Sequence, residues 1–251
     1  IFGFKPLLGY NLTYHEFDWR ISLSYDYWKK IQAHTELEAG NGFRTFNSEI
    51  VEKLKKWEDY NLEKLDLSYF NDIHVRISQR IEPLNGFQIT VGASWYNRWL
   101  SNKKTNNELE DLHLKDHYKT FAPRVRVDWT PGRYYYWDKN QKVTVKSAFP
   151  TLSLDWETGL KGFLGSEASY QCYEGEMSKE WHNQQEKRIS FKLGYGAFTQ
   201  HEDDVYFIDF YNFSHNRLAD TWDEDLGGTF HLLNYRWYSS ANEYFRSHFT
   251  Y

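Results

Sequence analysis

The sequence predicts an all-β protein, an antiparallel transmembrane β-barrel or a large part of one, with about ten or more strands. Three observations predict it. Several segments alternate with period two; one face of each is apolar with Trp or Tyr near its ends, and the other carries arginine, lysine and carboxylates. Aromatic residues make up 20% of the chain, with 11 Trp, 20 Tyr and 18 Phe, a loading that suits membrane barrels with aromatic girdles or carbohydrate-handling β proteins. No run of ~18 apolar residues occurs and the mean hydropathy is -0.79, which excludes a helical membrane protein. A barrel survives that test, because only its alternate residues face lipid. In a soluble sandwich the apolar faces would need a partner sheet, and the aromatic ends would have no special reason.

The chain opens inside a pattern, IFGFKPLLGY, with no signal peptide, and is read as a mature or partial chain forming one domain over 1–251. From Trp19 to Tyr27 the odd positions are aromatic or aliphatic and the even ones are Arg20, Ser22, Ser24 and Asp26, about the length of a membrane strand. Lys30 to Gly40 repeats this more weakly through Ile31, Ala33 and Leu37, and Asn41-Gly42 marks a turn. The run SEIVEKLKKWEDYNLEKL reads equally as a short helix or as strand, loop and strand. The clearest hairpin follows: Ile73, Val75, Ile77 and Ile81 alternate with His74, Arg76, Ser78 and Arg80, Pro83-Leu84-Asn85-Gly86 turns, and Phe87, Ile89, Val91, Ala93 and Trp95 return. After a polar loop at 101–117, Val125, Val127 and Trp129 alternate with Arg124, Arg126 and Asp128. Leu152, Leu154 and Trp156 alternate with Ser153, Asp155 and Glu157, and Ile189 to Ala197 forms the best single strand, backed by Arg188, Ser190 and Lys192. Counting strands puts 101–117 and 201–240 at one end and 130–149 at the other, the short-turn end. The long 130–149 connection therefore needs either an extra piece of strand at 142–146 (KVTVK) or a different count.

The C-terminal stretch from Asp225 to Tyr251 is the segment around which the rest is organised. Gly227-Gly228 opens a loop, the cluster Asn234-Tyr235-Arg236-Trp237-Tyr238 follows, and Ser239-Ser240 leads into a last strand. There Phe245, Phe249 and Tyr251 share one side, while Tyr244, Arg246, His248 and Thr250 share the other. The motifs Phe149-Pro150-Thr151-Leu152-Ser153-Leu154, Gly159-Leu160-Lys161-Gly162-Phe163-Leu164-Gly165-Ser166, Tyr206-Phe207-Ile208-Asp209-Phe210 and Phe230-His231-Leu232-Leu233-Asn234-Tyr235 run in order along the chain. Together they resemble the C-terminal barrel of a family of Gram-negative outer-membrane proteins that carry an N-terminal carboxypeptidase-regulatory-like domain. More loosely, Gly227-Gly228 followed by Asn234, Tyr235 and Arg236 resembles the inward-folded loop of the BamA/TamA barrel superfamily, where a Gly-Gly precedes Arg-Gly-Phe/Tyr. Leu233-Asn234-Tyr235 stands in that place here, with Arg236 as the substitute arginine. The resemblance implies a bacterial outer-membrane location and, in its looser form, help in inserting or exporting outer-membrane or surface proteins. The implied partners are outer-membrane lipid and other outer-membrane or periplasmic proteins. The terminal aromatic Tyr251 resembles a short outer-membrane sorting signal.

Residues with catalytic potential read more simply as structural. Asp155 with Glu157, and Glu174 with Glu176, have the spacing of a glycosidase acid and base, but among 35 Asp and Glu such pairs arise by chance. His113 and His117 have i, i+4 spacing, yet Leu114 stands where a zincin needs Glu. Ser166 lacks the second glycine of a nucleophile elbow, and no phosphate-binding G-x-x-x-x-G-K occurs. The single Cys172 excludes a disulfide framework within the chain and reads as a packing residue. The net charge of -5 implies no attraction to nucleic acid. No catalytic residue, metal or cofactor is expected, and no enzymatic activity.

The expected working surface is a lumen charge network of Arg76, Arg80, Arg124, Arg126, Asp128, Asp155, Glu157, Arg188, Lys192 and Arg246, joined by Arg20 and Asp26. Opposite charges on one interior must pair or be hydrated, so the network first of all holds the barrel's shape and seats the inward loop. Trp19, Trp95, Trp129, Tyr134, Tyr135, Tyr136, Trp137 and Trp156 are the expected interface aromatics. Trp19, Ile77, Val91, Val127, Phe191 and Phe249 should face outward, and Arg76, Arg126, Lys192 and His248 inward. Arg236 should brace against Asp128, Asp155 or Glu157. Two other functions fit the same pattern: a passive or partner-gated channel, and a soluble, aromatic-rich glycan-binding β domain.

Overall fold

The computed structural model describes residues 2–11, 16–45, 69–100, 117–138, 141–145, 147–182, 188–201, 211–212, 239–240 and 242–250. Period-two sequence becomes long strands: β1 (Phe2–Asn11), β2 (Glu16–Trp28), β3 (Ala33–Thr45), β4 (Tyr69–Leu84), β5 (Phe87–Leu100) and β6 (Tyr118–Trp129). Two short strands follow, β7 (Tyr135–Asp138) and β8 (Gln141–Thr144), and then β9 (Thr151–Gly159), β10 (Tyr170–His182) and β11 (Arg188–His201). The two-residue pieces β12 (Tyr211–Asn212) and β13 (Ser239–Ser240) pair with each other, and β14 (Glu243–Thr250) is last. Ten of these form one sheet in the order β1-β2-β3-β4-β5-β6-β9-β10-β11-β14, antiparallel throughout. The chain is thus all-β and antiparallel, as the alternation predicts. Among the described residues the sheet is open between β1 and β14, so it is a large part of a barrel and not a closed one.

The expected hairpin is in place. Val75 pairs with Trp95, Ile77 with Ala93 and Ile81 with Ile89. The two strands are joined through Asn85-Gly86, as expected. Pro83 and Leu84 still belong to β4, a bulge lies between Ile81 and Leu84, and only Asn85-Gly86 turns. Gly86 has φ of +75°, and a Cβ there would lie 2.3 Å from the carbonyl oxygen of Thr130, so both conformation and space demand glycine. The long 130–150 connection contains the extra strand: β8 includes Lys142 and Val143 of KVTVK and pairs with β7 as a small hairpin. The strand count therefore stands. Asn41-Gly42 does not turn but continues β3. The run SEIVEKLKKWEDYNLEKL lies outside the described residues.

Partners across an antiparallel sheet share a face. Phe4, Leu23, Leu37, Ile77, Ala93 and Pro123 therefore lie on one face, and so do Trp129, Leu152, Met177 and Leu193. Burial is inverted relative to an ordinary soluble domain. Leu154, Phe245 and Phe249 are 67%, 69% and 70% exposed, whereas the largest fully buried side chains are His74, Thr120 and Asp72. The apolar face is the outside of this sheet and the polar face its inside.

Candidate functional site: the charged concave face

The inner positions of β3 to β14 line one trough. Two recesses of about 370 Å³ each open on it and share Ser94, Tyr96, Ala122, Arg124, Arg126 and Glu157. Three clusters of charge fill it.

The first centres on Glu38 of β3. Its carboxylate meets Arg76 at 3.4 Å, Arg20 at 3.9 Å and Nε2 of His74 at 3.2 Å, and accepts from the Ser22 hydroxyl at 3.4 Å. Nδ1 of His74 lies 3.3 Å from Asp72, so a wholly buried imidazole sits between two carboxylates. Gly40, its partner on β3, makes room for the ring: a Cβ there would lie 3.3 Å from His74 Cε1.

The second cluster sits where β6 and β9 pair. Arg124 donates through Nε (2.7 Å) and Nη2 to the two oxygens of Asp155, a bidentate fork. Arg126 donates to both oxygens of Asp128 at 3.0 Å and lies 3.4 Å from Asp155. Ser153 bridges Arg126 and its carboxylate partner, donating to Asp128 at 2.5 Å and accepting from Arg126 at 3.3 Å. Glu157 accepts from the Tyr170 hydroxyl at 2.6 Å.

The third cluster joins β10, β11 and β14. Arg246 pairs with Glu174 and with Glu176 (2.6 Å), Lys192 reaches Glu176 at 3.1 Å, and the Tyr244 hydroxyl donates to Glu174. Contacts from β14 to β10 pass over β11, and the glycines of β11 permit it. A Cβ at Gly196 would lie 2.2 Å from Tyr244 Cζ, and one at Gly194 would lie 2.8 Å from Arg246 Nε.

Eight of the ten charged residues expected in the lumen thus meet partners in these three clusters. Arg80 is on the same face nearer the turn end and is exposed. The side chain of Arg188 lies outside the described residues. The tested inward positions of Arg76, Arg126, Lys192 and His248 agree with the pairing, as do the outward ones of Trp19, Ile77, Val91, Val127, Phe191 and Phe249. Gly227, Gly228, Asn234, Tyr235 and Arg236 lie outside the described residues, and with them the expected brace. Asp155 and Glu157, and likewise Glu174 and Glu176, have guanidinium and hydroxyl partners. Ser166 behaves as a turn serine, its hydroxyl oxygen accepting the Phe121 N–H at 3.0 Å. Cys172 packs with Phe198 beside Tyr118, Ala168 and Tyr170.

Sequence reasoning missed Glu38, His74 and Asp72 as a unit, and the tyrosines that donate to Glu157 and Glu174. Their inward parity was legible, but the partners lie 36 residues apart for Glu38 and His74 and 70 for Tyr244 and Glu174. It also missed one pair at the turn end. Lys142 of β8 reaches Glu82 of β4 at 2.9 Å with both side chains 3% exposed, and its ammonium lies 4.6 Å from the Tyr135 ring centre. Glu82 also accepts the Gly86 N–H, and Gln32 donates to the Lys142 carbonyl at 3.5 Å. The β7–β8 hairpin is thereby strapped to the turns between β2 and β3 and between β4 and β5.

On the outer face, Trp19, Trp95 and Trp156 lie toward the loop end, and Trp129 with Phe87 lies toward the turn end. Phe87 and Trp95 are separated by ~27 Å along the strand. Tyr134, Tyr135, Tyr136 and Trp137 are exposed at the β7–β8 hairpin, off the main sheet.

A ten-stranded antiparallel meander with an apolar outside and a charged trough inside is the class that fold and site define. The chain belongs to a family of unknown function, DUF5686, whose C-terminal-domain model matches residues 2–251. Neither a curated protein nor a solved structure matches it.

Proposed function

We propose that this chain forms the wall of a bacterial outer-membrane β-barrel that assists insertion or export of other outer-membrane or surface proteins. The inverted burial carries the membrane part of the reading. Phenylalanine, leucine and tryptophan cover the outside while aspartate and histidine are buried inside, an arrangement stable where the outer solvent is hydrocarbon. The assembly part of the reading rests on the resemblance of the C-terminal stretch to assembly barrels. Fractionation of cells expressing the whole protein tests the membrane part. The expected result is recovery with the outer membrane, extraction only by detergent, and a gel mobility that changes on boiling. A monodisperse protein in detergent-free buffer would sink it. The assembly part is tested by depleting the protein in its own bacterium, with loss of other outer-membrane proteins as the expected result and unchanged levels as the opposing one.

The trough favours a second reading, a channel. Steady conductance of the purified protein in planar bilayers, without any partner, would select that reading over assembly.

A further inference from the structure

One part of the outer face is indented. A groove of about 500 Å³ crosses β6, β9, β10 and β11, lined by Trp129, Leu154, Gly175, Met177, Leu193 and Tyr195. Gly175 creates it. Its partners on either side are Leu154 and Tyr195, and nothing projects from β10 between them. Two positions further along β10 on the same face stands Lys179, paired with Phe191 of β11. Its ammonium donates to the carbonyl oxygens of Ser147 (2.5 Å) and Phe149 (3.1 Å), and among the described residues no carboxylate pairs with it. A lysine has three N–H donors, so one remains, with the full charge. The Trp181 and Phe191 rings pack 5.5 Å apart beside it.

We infer that this groove holds one acyl chain of a glycerophospholipid, with the lipid phosphate on Lys179. The inference rests on the membrane reading above and specifies a ligand for one place on that surface. A cation on a lipid-facing strand is costly at mid-membrane and tolerated near the interface. Lys179 lies at the aromatic belt of the turn end, the level of lipid headgroups. The carbonyls of Ser147 and Phe149 hold the ammonium one same-face position beyond Met177, a residue of the groove's lining, where it matches a single phosphate, while the groove beside Gly175 offers an apolar bed leading away from it. A glycine on the outer face gives up side-chain packing with both neighbours, and a bound chain replaces those contacts.

Native mass spectrometry of the whole protein in mild detergent tests this, with phosphatidylglycerol, lipopolysaccharide and phosphate-free diacylglycerol as the added probes. Wild-type protein should retain phosphatidylglycerol in preference to the other two. Gly175→Leu, which fills the groove, should cut the retained adduct about tenfold, equivalent to losing roughly two buried methylenes. Lys179→Met leaves the groove open and should abolish the preference for phosphatidylglycerol over diacylglycerol. Adducts equal in wild type and both variants, or a preference for lipopolysaccharide, would overturn the assignment. The two readings fail differently. A chain that needs no detergent loses the membrane reading, whereas one that needs detergent but shows no effect of either variant loses only the lipid site.

Discussion

Two ion-pair regions of the molecule are built in opposite ways. At the turn end, Lys142 and Glu82 form a nearly dry pair, each 3% exposed, in which each charge relies on the other. Midway along the trough, Arg124 is 52% and Arg126 38% exposed, and Asp155 is shared between them. A dry pair is intolerant because removing one partner strands a charge out of reach of water. A shared, wet cluster is tolerant because a second guanidinium and solvent take over. The trough can therefore change its charge content cheaply, while the turn end is fixed to one chemistry.

That contrast can be broken or sharpened by substitution. Lys142→Ala should have the largest effect, destabilising the protein by ~3–5 kcal/mol in denaturant titration. Adding Glu82→Gln should recover a large part of the loss, since the stranded charge is then gone. A lone Lys142→Ala that unfolds at the wild-type midpoint would erase the difference between the two regions. Gly196→Ala should come next, at ~1–3 kcal/mol, because the added methyl invades the Tyr244 ring. Combining it with Tyr244→Ala should cost less than the sum of the two single changes, a non-additivity that a double-mutant cycle reads directly. The smallest effect belongs to Arg124→Ala, at ~1 kcal/mol or less, since Arg126 still reaches Asp155. Raising the salt concentration should shrink it further, whereas the Lys142→Ala effect should persist. An Arg124→Ala loss as large and as salt-independent as that of Lys142→Ala would show the trough to be dry as well.

The strands and their faces were legible because side chains alternate strictly, so a residue's parity assigns it to the outer or the inner face wherever one face is apolar. Ile73–Ile81 and Ile189–Ala197 show this well. β3 was harder to read, because its outward positions include Ala33, Thr35 and Ala39, and Thr35 meets Gln79 in a polar pair on the outer face. Its inward Glu38 was therefore overlooked. Partner choice was less legible still, since it depends on register. The bulge in β4 before Leu84 and the irregularity between Gln171 and Cys172 set which residues meet, and neither is written in the local pattern. The β7–β8 hairpin was detected only as a misfit between strand count and loop length. Its buried lysine could not be foreseen, because Lys142 and Glu82 are 60 residues apart.

The distance between those two residues also sets an order of events in time. Glu82 can remain hydrated after β4 and β5 have joined, but it loses water once the hairpin arrives. The tie from Gln32 to Lys142 spans 110 residues and can form only once the chain as far as β8 is in place. The turn end of the early strands is sealed from water only when the chain beyond β6 is in place.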